Sequence, residues 1–354
     1  MKYLRWLLLP FSLIYGFIII IRNWCFDAGI FKSKEFDFPV ISVGNLNVGG
    51  AGKSPMTEYL VRLLKNDYQL ATLSRGYGRT TKGFGIANTE STAATVGDEP
   101  AQFKQKFPEL TVAVCEKRVF GIEKLMSNHD VVILDDAYQH RAVKPGLSIL
   151  LFDYSQINQP NLMLPAGNLR EPLSGRKRAN VLVVSKCPSN LPEQRQQDIA
   201  NKLRPFAYQQ VYFTTISYLS FQDLKSNPVG ATLDADTTVF LLTGIANTQP
   251  LVQHLQKYSS QLVQHKYADH HQFTLKNITK LANDFRVSKA SKKVIITTEK
   301  DAQRLREPGL LSVVLTLPIW VLPIGIQFLN DGEQPFNQTI KQYVRKYTTH
   351  RSVH

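Results

Sequence analysis

Gly49-Gly50-Ala51-Gly52-Lys53-Ser54 is a glycine-rich stretch between two predicted elements of different type. The apolar run at 40–43 before it is typical of a buried parallel strand. Residues 55–65 after it carry apolar side chains at helical spacing, with a proline in the first turn. Such a turn offers successive backbone N–H groups and the positive end of a helix to an anion. The stretch therefore predicts a phosphate-binding loop in an α/β fold.

The loop supplies the predicted nucleotide-binding residues. Lys53 is expected to reach the β- and γ-phosphates, and the Ser54 hydroxyl to bind Mg²⁺. One position departs from the full pattern, because Asn47 stands where a glycine is usual, and Asn tolerates a left-handed conformation better than most residues. The alternative is a glycine-rich turn that binds nothing. The predicted set is Asn47, Val48, Gly49, Gly50, Ala51, Gly52, Lys53 and Ser54.

Two further stretches carry chemistry that suits phosphoryl transfer. The apolar run at 131–134 ends in Asp135-Asp136, the usual carboxylate partner of a phosphate loop beside magnesium. A loop made rigid by two prolines and a glycine presents Arg170 and Glu171. Arg170 is suited to pair with the transferring phosphoryl group and Glu171 to bind magnesium. An internal salt bridge is the alternative for this second pair.

Two loops offer polar side chains with less specific signals. The loop at 74–79 is rich in glycine and arginine and is suited to hold an anion or a sugar, or to be a plain turn. Asp98 and Glu99 lie between Gly97 and Pro100 at a predicted helix start. Carboxylates there often serve only the helix dipole, whereas the functional alternative is a general base.

Composition restricts the partners and the compartment. The chain has 354 residues and a net charge of +14, which favours an anionic partner such as a lipid surface or a phosphorylated substrate. It carries no recognisable nucleic-acid-binding motif. Its three cysteines are scattered, which indicates a reducing compartment.

The N-terminal run at 6–21 is uncharged and mostly apolar, with Lys2, Arg5 and Arg22 around it. It is shorter than the roughly 20 residues of a full span, and Pro10 interrupts it. No small-residue cleavage site follows, which argues against a signal peptide. We interpret it as an interfacial or half-inserted anchor whose basic residues contact anionic lipid. A buried core helix and a single span are the alternatives.

The predicted fold class is α/β: a P-loop kinase-type α/β/α sandwich with a second, smaller α/β domain and an N-terminal membrane-anchor helix. We expect the anchor at 1–30, the nucleotide-binding domain at 31–178 and the second domain at 179–330, because a basic, glycine-containing break ends near 178. A C-terminal helix and tail at 331–354 are expected to pack on the first domain.

Taken together, these motifs resemble the tetraacyldisaccharide 4′-kinase family of lipid A biosynthesis. The matching residues span 42 to 302 in the order of the family's motifs, and jointly they are highly specific. They are the loop with its lead-in from Ser42, Ser74-Arg75-Gly76-Tyr77-Gly78-Arg79, Val96-Gly97-Asp98-Glu99-Pro100, Asp135-Asp136 with Gln139-His140, Leu164-Pro165-Ala166-Gly167 with Leu169-Arg170-Glu171-Pro172, Asp269-His270 and Thr298-Glu299-Lys300-Asp301-Ala302.

The resemblance implies a kinase that moves the γ-phosphoryl group of ATP, with Mg²⁺, to the 4′-hydroxyl of a tetraacylated disaccharide 1-phosphate. It implies two α/β/α domains with the active site between them, at the cytoplasmic face of a bacterial inner membrane, and no obligate protein partner is evident. Catalysis is assigned to Lys53, Arg170 and Asp98 as base with His270, and metal binding to Ser54, Asp135, Asp136 and Glu171. The substrate residues are Arg75, Tyr77, Arg79, Gln139 and His140.

Two functions of other classes remain open from the residues alone. One is a membrane-associated NTPase switch that acts on a protein partner. It would need a guanine-reading element, which Ser185-Lys186-Cys187 and Glu299-Lys300-Asp301 match only loosely. The other is a ligase or kinase with the same loop that acts on a water-soluble acceptor.

Overall fold

The computed structural model describes residues 3–269 and 271–348 of the chain. A 3₁₀ helix, Tyr3–Leu8, leads into the first α-helix. The strands of this part of the chain are β1 (Val40–Asn45), β2 (Leu70–Ser74), β3 (Gly85–Ile86), β4 (Thr111–Val114), β5 (Val131–Asp135), β6 (Leu147–Asp153), β7 (Val181–Ser185), β8 (Gln210–Tyr218), β9 (Thr237–Thr243), β10 (Gln261–Lys266), β11 (Lys292–Thr298), β12 (Ile319–Leu322) and β13 (Ile324–Phe328). The helices are α1 (Leu9–Asp27), α2 (Lys53–Leu64), α3 (Ala93–Val96), α4 (Asp98–Lys106), α5 (Arg118–Leu125), α6 (Glu193–Leu203), α7 (Gln249–Leu255), α8 (Leu275–Val287), α9 (Glu299–Leu305), α10 (Pro308–Val314) and α11 (Glu333–Thr348).

The strand β1 lies inside a nine-stranded sheet with the order β13-β8-β7-β6-β1-β5-β2-β4-β3. All neighbouring strands of this sheet are parallel except two pairs, β3 with β4 and β13 with β8. One face of the sheet packs on α2, α4 and α11, and the other on α5 and α6. Strands covered on both faces are continuous apolar runs, which is why the sequence pattern identified them. The predicted α/β/α sandwich is confirmed.

The phosphate loop lies where the sequence places it, between β1 and α2. Every residue of β1 and β5 is buried, and Val43 is in register with Asp135. The C-terminal ends of two adjacent parallel strands therefore bring the loop and the Asp135-Asp136 pair to the same edge of the sheet. The helix α2 begins at Lys53, two residues earlier than the sequence predicts.

A second, four-stranded parallel sheet has the order β10-β9-β11-β12. The large sheet, however, continues past residue 178, because β7, β8 and β13 all belong to it. The predicted boundary at 178/179 therefore does not match the division between the sheets. Residues Leu173–Arg178 form a short 3₁₀ helix from which β7 runs parallel to β6. Its basic, glycine-containing composition marks a turn and not a change of sheet.

The chain passes between the two sheets at adjacent places. It leaves the large sheet after β8 and returns from β12 to β13 across Pro323, with Ile324 paired to Tyr218. The helix α11 then closes the large sheet, with Phe336, Ile340 and Val344 in the core cluster that contains Ile41.

The helix α1 lies largely outside the core. Only Ser12 and Gly16 are buried along it, and the exposed side chains include Phe11, Leu13, Phe17 and Trp24. Pro10 lies in its first turn, where proline is tolerated, so it does not interrupt the helix as the sequence suggested. The helical segment Arg5–Asp27 is long and apolar enough to cross a membrane. Its exposure contradicts the alternative of a core helix.

Candidate active site

The phosphate loop has the backbone of an anion-binding turn. Gly49 and Gly52 adopt left-handed φ angles of 102° and 83°, which side chains with a Cβ rarely tolerate. Asn47 needs no left-handed φ. Instead, its side-chain amide donates a hydrogen bond of 2.6 Å to Gln156 Oε1. The missing first glycine of the pattern is thus replaced by a side-chain contact that fixes the start of the loop.

The loop that carries Arg170 pairs with the lead-in to the phosphate loop. Val48 N donates to Asn168 O at 2.7 Å, and Arg170 N donates to Leu46 O at 2.8 Å. Asn47 and Leu169 form an antiparallel bridge. These backbone contacts bring Arg170 to the phosphate loop although the two segments are more than 100 residues apart in the sequence.

Lys53 and Arg170 meet at one carboxylate. Lys53 Nζ lies 3.7 Å from Asp136 Oδ1, and Arg170 Nη2 lies 2.9 Å from the same oxygen. Both cations also contact the Asn45 side chain. Burial alone would raise the pKa of Asp136, but Lys53 and Arg170 hold it below its ordinary value. Two cations at the mouth of the loop are suited to accept a nucleotide phosphate between them.

Ser54, Glu99 and Asp135 offer oxygen donors beside the phosphate loop. Ser54 Oγ donates to Glu99 Oε1 at 2.9 Å, and Thr57 Oγ1 donates to Asp135 Oδ1 at 3.2 Å. Burial raises the pKa of Asp135 to about 7, and the nearby charges of Glu99 and Asp136 add to the effect. A carboxylate held near other carboxylates in a buried site is relieved by a cation, and hydroxyl and carboxylate oxygens are the ligands that Mg²⁺ prefers. The residues therefore fit magnesium.

The protein side chains alone do not complete the coordination shell of a metal ion. Within residues 3–269 and 271–348, no group of three His, Cys, Asp or Glu side chains converges to hold a metal ion. This arrangement agrees with the usual binding of Mg²⁺ by one or two carboxylates together with phosphate oxygens.

Glu171 does not belong to the metal set that the sequence predicted. Both of its carboxylate oxygens accept from Arg178 Nη2 at 2.8 Å. Gln139 Nε2 and Asn23 Nδ2 add further hydrogen bonds at 3.0 and 3.3 Å, and Glu171 is only 2 % exposed. Its oxygens are fully engaged in an internal ion pair, so we correct its role to a structural one.

The loop at 74–79 divides into structural and accessible residues. Arg79 forms an ion pair with Glu116 and donates to Gly83 O at 2.7 Å, with its side chain buried. We therefore correct Arg79 from a substrate contact to a residue that holds the loop. Arg75 is exposed, and Tyr77 is 90 % exposed, so these two side chains are accessible.

A cationic cluster surrounds His140. Burial lowers the pKa of His140 to about 4, with Arg118, Arg22 and Arg75 nearby adding to the effect. Arg118 is 4 % exposed, and its Nε has no hydrogen-bond partner in the described part of the chain. The sequence did not predict a role for Arg118, because it lies in a helical stretch without a recognisable motif. The predicted residues Arg75 and His140 thus come together, with Arg118 and Arg22 as unpredicted additions, and such a cluster attracts an anionic group.

Gln139 lies between this cluster and the phosphate loop. Its side-chain amide donates to Asn45 O at 2.8 Å as well as to Glu171. Its backbone carbonyl accepts from Arg22 Nη2 at 2.8 Å. Gln139 therefore bonds the residues around the phosphate loop, and its contact with substrate stays a prediction.

Asp98 begins α4 and faces the small sheet. Arg304 Nη2, on α9, lies 3.7 Å from Asp98 Oδ2, and Arg304 Nη1 donates to Gly244 O at 3.1 Å. A Cβ at Gly244 would lie 3.3 Å from Ala268 O and from His271 Cβ. His270, the predicted partner of Asp98, lies outside the described residues. Ala268 and His271 both lie beside Gly244, whose carbonyl accepts from the same Arg304 that faces Asp98.

The site contains residues that sequence reasoning missed. Glu99 was named only as a neighbour of Asp98, although it contacts Ser54 directly. Lys300 Nζ donates to Glu99 Oε1 at 3.1 Å from the first turn of α9. A helix start turns successive side chains by about 100°, so only the fold decides which carboxylate of the Asp98-Glu99 pair meets the loop.

Ser185 and Lys186, which loosely match a guanine-reading element, contact the phosphate loop in this protein. Lys186 Nζ binds Asp153 Oδ2 at 2.8 Å and contacts Gly50 O, and Ser185 Oγ donates to Ala51 O at 2.8 Å. Position 188, where a guanine-reading Asp would stand, is a proline. Ser185 and Lys186 thus support the phosphate loop from the adjacent strand end.

Comparisons with known proteins find similar sequences over nearly the whole chain. A family model described as Tetraacyldisaccharide-1-P 4'-kinase matches residues 4–345. A tetraacyldisaccharide 4'-kinase of Flavobacterium johnsoniae is 45% identical over 349 residues, covering 98% of this chain and 99% of that protein. The corresponding protein of Phocaeicola vulgatus is 43% identical over 350 residues, with 97% and 95% covered.

A solved structure is similar over nearly the whole chain. The "apo" form of LpxK from Aquifex aeolicus, in complex with ATP, superposes with a TM-score of 0.73 at 27% sequence identity. The match covers 96% of this chain and 99% of that one. Both sheets and the helices around them are therefore part of a shared fold.

Proposed function

This chain belongs to the tetraacyldisaccharide-1-P 4'-kinase family, and from its site we propose that it transfers the γ-phosphoryl group of ATP to the 4′-hydroxyl of a tetraacylated disaccharide 1-phosphate. The product is the 4′-phosphorylated lipid of lipid A biosynthesis. The observation that carries the proposal is the meeting of Lys53 and Arg170 at Asp136, beside the phosphate loop.

The protein's part in the reaction is to position the phosphates and to stabilise charge. The loop amides and Lys53 hold the β- and γ-phosphates, and Arg170 faces the group that is transferred. Ser54 and Glu99, with Asp135 behind them, would hold Mg²⁺, which would neutralise the charge that develops on the phosphates. Asp136 keeps the two cations in place until the nucleotide binds between them.

The acceptor is proposed to lie between Asp98 and the cationic cluster. Asp98 accepts the proton of the 4′-hydroxyl, assisted by His270 from the small-sheet side. Arg75, Arg118 and His140 are suited to bind the anionic 1-phosphate of the substrate, and Tyr77 and Gln139 to contact the sugar. Support comes from the connection of Asp98 to the small sheet through Arg304.

The helix α1 is proposed to attach the protein to the cytoplasmic face of the bacterial inner membrane, where ATP is available. Its apolar side chains point away from the core. The net charge of +14 favours an anionic lipid surface. An acylated substrate and an enzyme with an exposed apolar helix then meet in the same bilayer.

A thin-layer assay with radiolabelled ATP and the detergent-dispersed disaccharide lipid tests the proposal. Lys53→Ala removes the charge nearest the transferred group, so we expect turnover to fall about 10²–10³-fold, as for the loss of one stabilising donor. Lys65→Ala is the matched control, because Lys65 caps the far end of α2 in a surface ion pair with Glu109. Normal turnover in Lys53→Ala would exclude the loop as the phosphate site.

The NTPase-switch hypothesis gives a different result in the same assay. A switch would hydrolyse nucleotide at a rate independent of the lipid. The positions of Lys186 and Pro188 disfavour it, because they leave no acidic side chain for guanine at this strand end. A kinase of water-soluble acceptors would instead phosphorylate a deacylated disaccharide as fast as the lipid.

A further inference from the structure

Lys300 reaches from the small-sheet side to Glu99, which itself contacts the phosphate loop. It lies in the first turn of α9, directly after β11. Its Nζ donates to Glu99 Oε1 at 3.1 Å, and the same oxygen accepts from Ser54 Oγ at 2.9 Å. One carboxylate oxygen is therefore shared by the hydroxyl of the phosphate loop and by a cation from the other side of the cleft.

Lys300 is not the residue that holds α9 against α4. Lys106 Nζ bonds both Glu58 and Glu299, at 2.8 and 2.5 Å, with all three side chains nearly buried. Arg306 adds a contact with Gln105. The Lys300 and Glu99 side chains, in contrast, remain 41% and 35% exposed. The ion pair of Lys300 is thus an accessible contact at the edge of an interface that other residues stabilise.

The charge balance of the site gives this contact a role. Burial alone would raise the pKa of Glu99, but Lys300, the Ser54 hydroxyl and Lys53 together hold it below its ordinary value. The negative charge of Glu99 also raises the pKa of the nearby Asp135. Lys300 thus supplies at Glu99 the positive charge that a divalent cation would otherwise supply.

We propose that Lys300 and the divalent cation compete for Glu99, so that metal binding releases the contact between α9 and Glu99. The inference rests on the proposed function, since it takes Ser54 and Glu99 as the magnesium site. Coupling between two binding events is reciprocal. Metal binding therefore weakens the Lys300 contact by the same factor by which Lys300 weakens metal binding. Lys300 is a positioning residue that links the small sheet to occupancy of the metal site.

Metal affinity measured without turnover tests the competition. Mn²⁺ is titrated by electron paramagnetic resonance into the full-length protein in detergent, with saturating ADP. Lys300→Met is expected to bind Mn²⁺ about threefold to fivefold more tightly, the range of a half-exposed ion pair. Lys300→Arg keeps the charge and should resemble the unaltered protein. Lys106→Met is the matched control, because it breaks an ion pair between the same two helices without contact to Glu99, and its Mn²⁺ affinity should be unchanged.

Hydrogen exchange gives a second readout that does not depend on activity. On addition of Mn²⁺, the amides at the start of α9 should exchange faster in the unaltered protein and show no such change in Lys300→Met, while Lys106 and Arg306 still hold the rest of the helix. An unchanged Mn²⁺ affinity in Lys300→Met would overturn the competition. A weaker affinity for Mn²⁺ and ADP together would also overturn it, because Lys300 would then act on the phosphates. The absence of Mn²⁺ binding in the unaltered protein would refute the metal site itself, and with it the proposed function.

Discussion

The contact between α1 and the loop that carries Arg170 predicts that the anchor helix also supports catalysis. Ser12 Oγ accepts from Ala166 N at 2.8 Å, and Tyr15 OH donates to Arg170 O at 2.9 Å. The double variant Ser12→Ala/Tyr15→Phe removes both hydrogen bonds, together with the bond of 3.3 Å that Ser12 Oγ donates to Leu8 O within the helical segment. We expect the segment 164–171 to loosen and turnover to fall.

The size of the effect follows from the two bonds. A protein hydrogen bond contributes about 1 kcal/mol net, so losing two shifts the balance between the docked and undocked loop by about 2 kcal/mol. This free energy corresponds to a factor of about 30. Turnover should therefore fall by up to about 30-fold, whereas ATP affinity changes much less, because Lys53 and the loop amides keep their places.

The assay uses detergent-dispersed lipid, so that attachment to vesicles is not the limiting step. Leu13→Ser is the matched control on the exposed face of the same helix, where Leu13 is 74% exposed. It should weaken binding to anionic vesicles in flotation and leave the detergent assay near the unaltered rate. The double variant should show the opposite pattern, with faster hydrogen exchange in 164–171.

Unaltered turnover in Ser12→Ala/Tyr15→Phe, together with unaltered exchange in 164–171, would refute this reasoning. The helix would then serve for attachment alone. Deletion of residues 1–25 removes Ser12, Tyr15 and Asn23, and with them one hydrogen bond each to Ala166, Arg170 and Glu171. A truncated protein should therefore bind ATP and still lose most of its kinase activity in detergent.

Two further predictions concern the carboxylates. Asp98→Ala and His270→Ala should each lower turnover about 10²-fold. The double variant should be little worse than the poorer single variant, because the two residues of a catalytic dyad act as a unit. Multiplicative losses at unchanged ATP affinity would show that the two residues act independently. Glu171→Gln leaves the charge of Arg178 without its partner, so the free energy of unfolding in urea should fall by about 3 kcal/mol, with Mn²⁺ affinity unchanged. A lower Mn²⁺ affinity at unchanged stability would restore Glu171 to the metal site.

Much of the large sheet was predictable because its signals are local. Buried parallel strands are continuous apolar runs, and the phosphate loop depends on a few neighbouring residues whose backbone preferences are their own. The positions of β1, β5 and α2 therefore followed from the sequence, as did the carboxylate pair at 135–136. The boundary at 178 did not, because a basic, glycine-containing turn has the same composition whether the chain leaves a sheet or adds the next strand to it.

The sequence by itself determined the phosphate loop, its strand and helix, and the residue types available for chemistry. Only the tertiary structure decided which of those side chains meet. Glu99 is 45 positions from Ser54 and 201 from Lys300, yet it contacts both. Glu171 forms an ion pair with Arg178, and Arg79 forms one with Glu116. A charged side chain takes the partner that the packing brings within about 4 Å, and that distance is set by the arrangement of strand ends and helices, which no local pattern records.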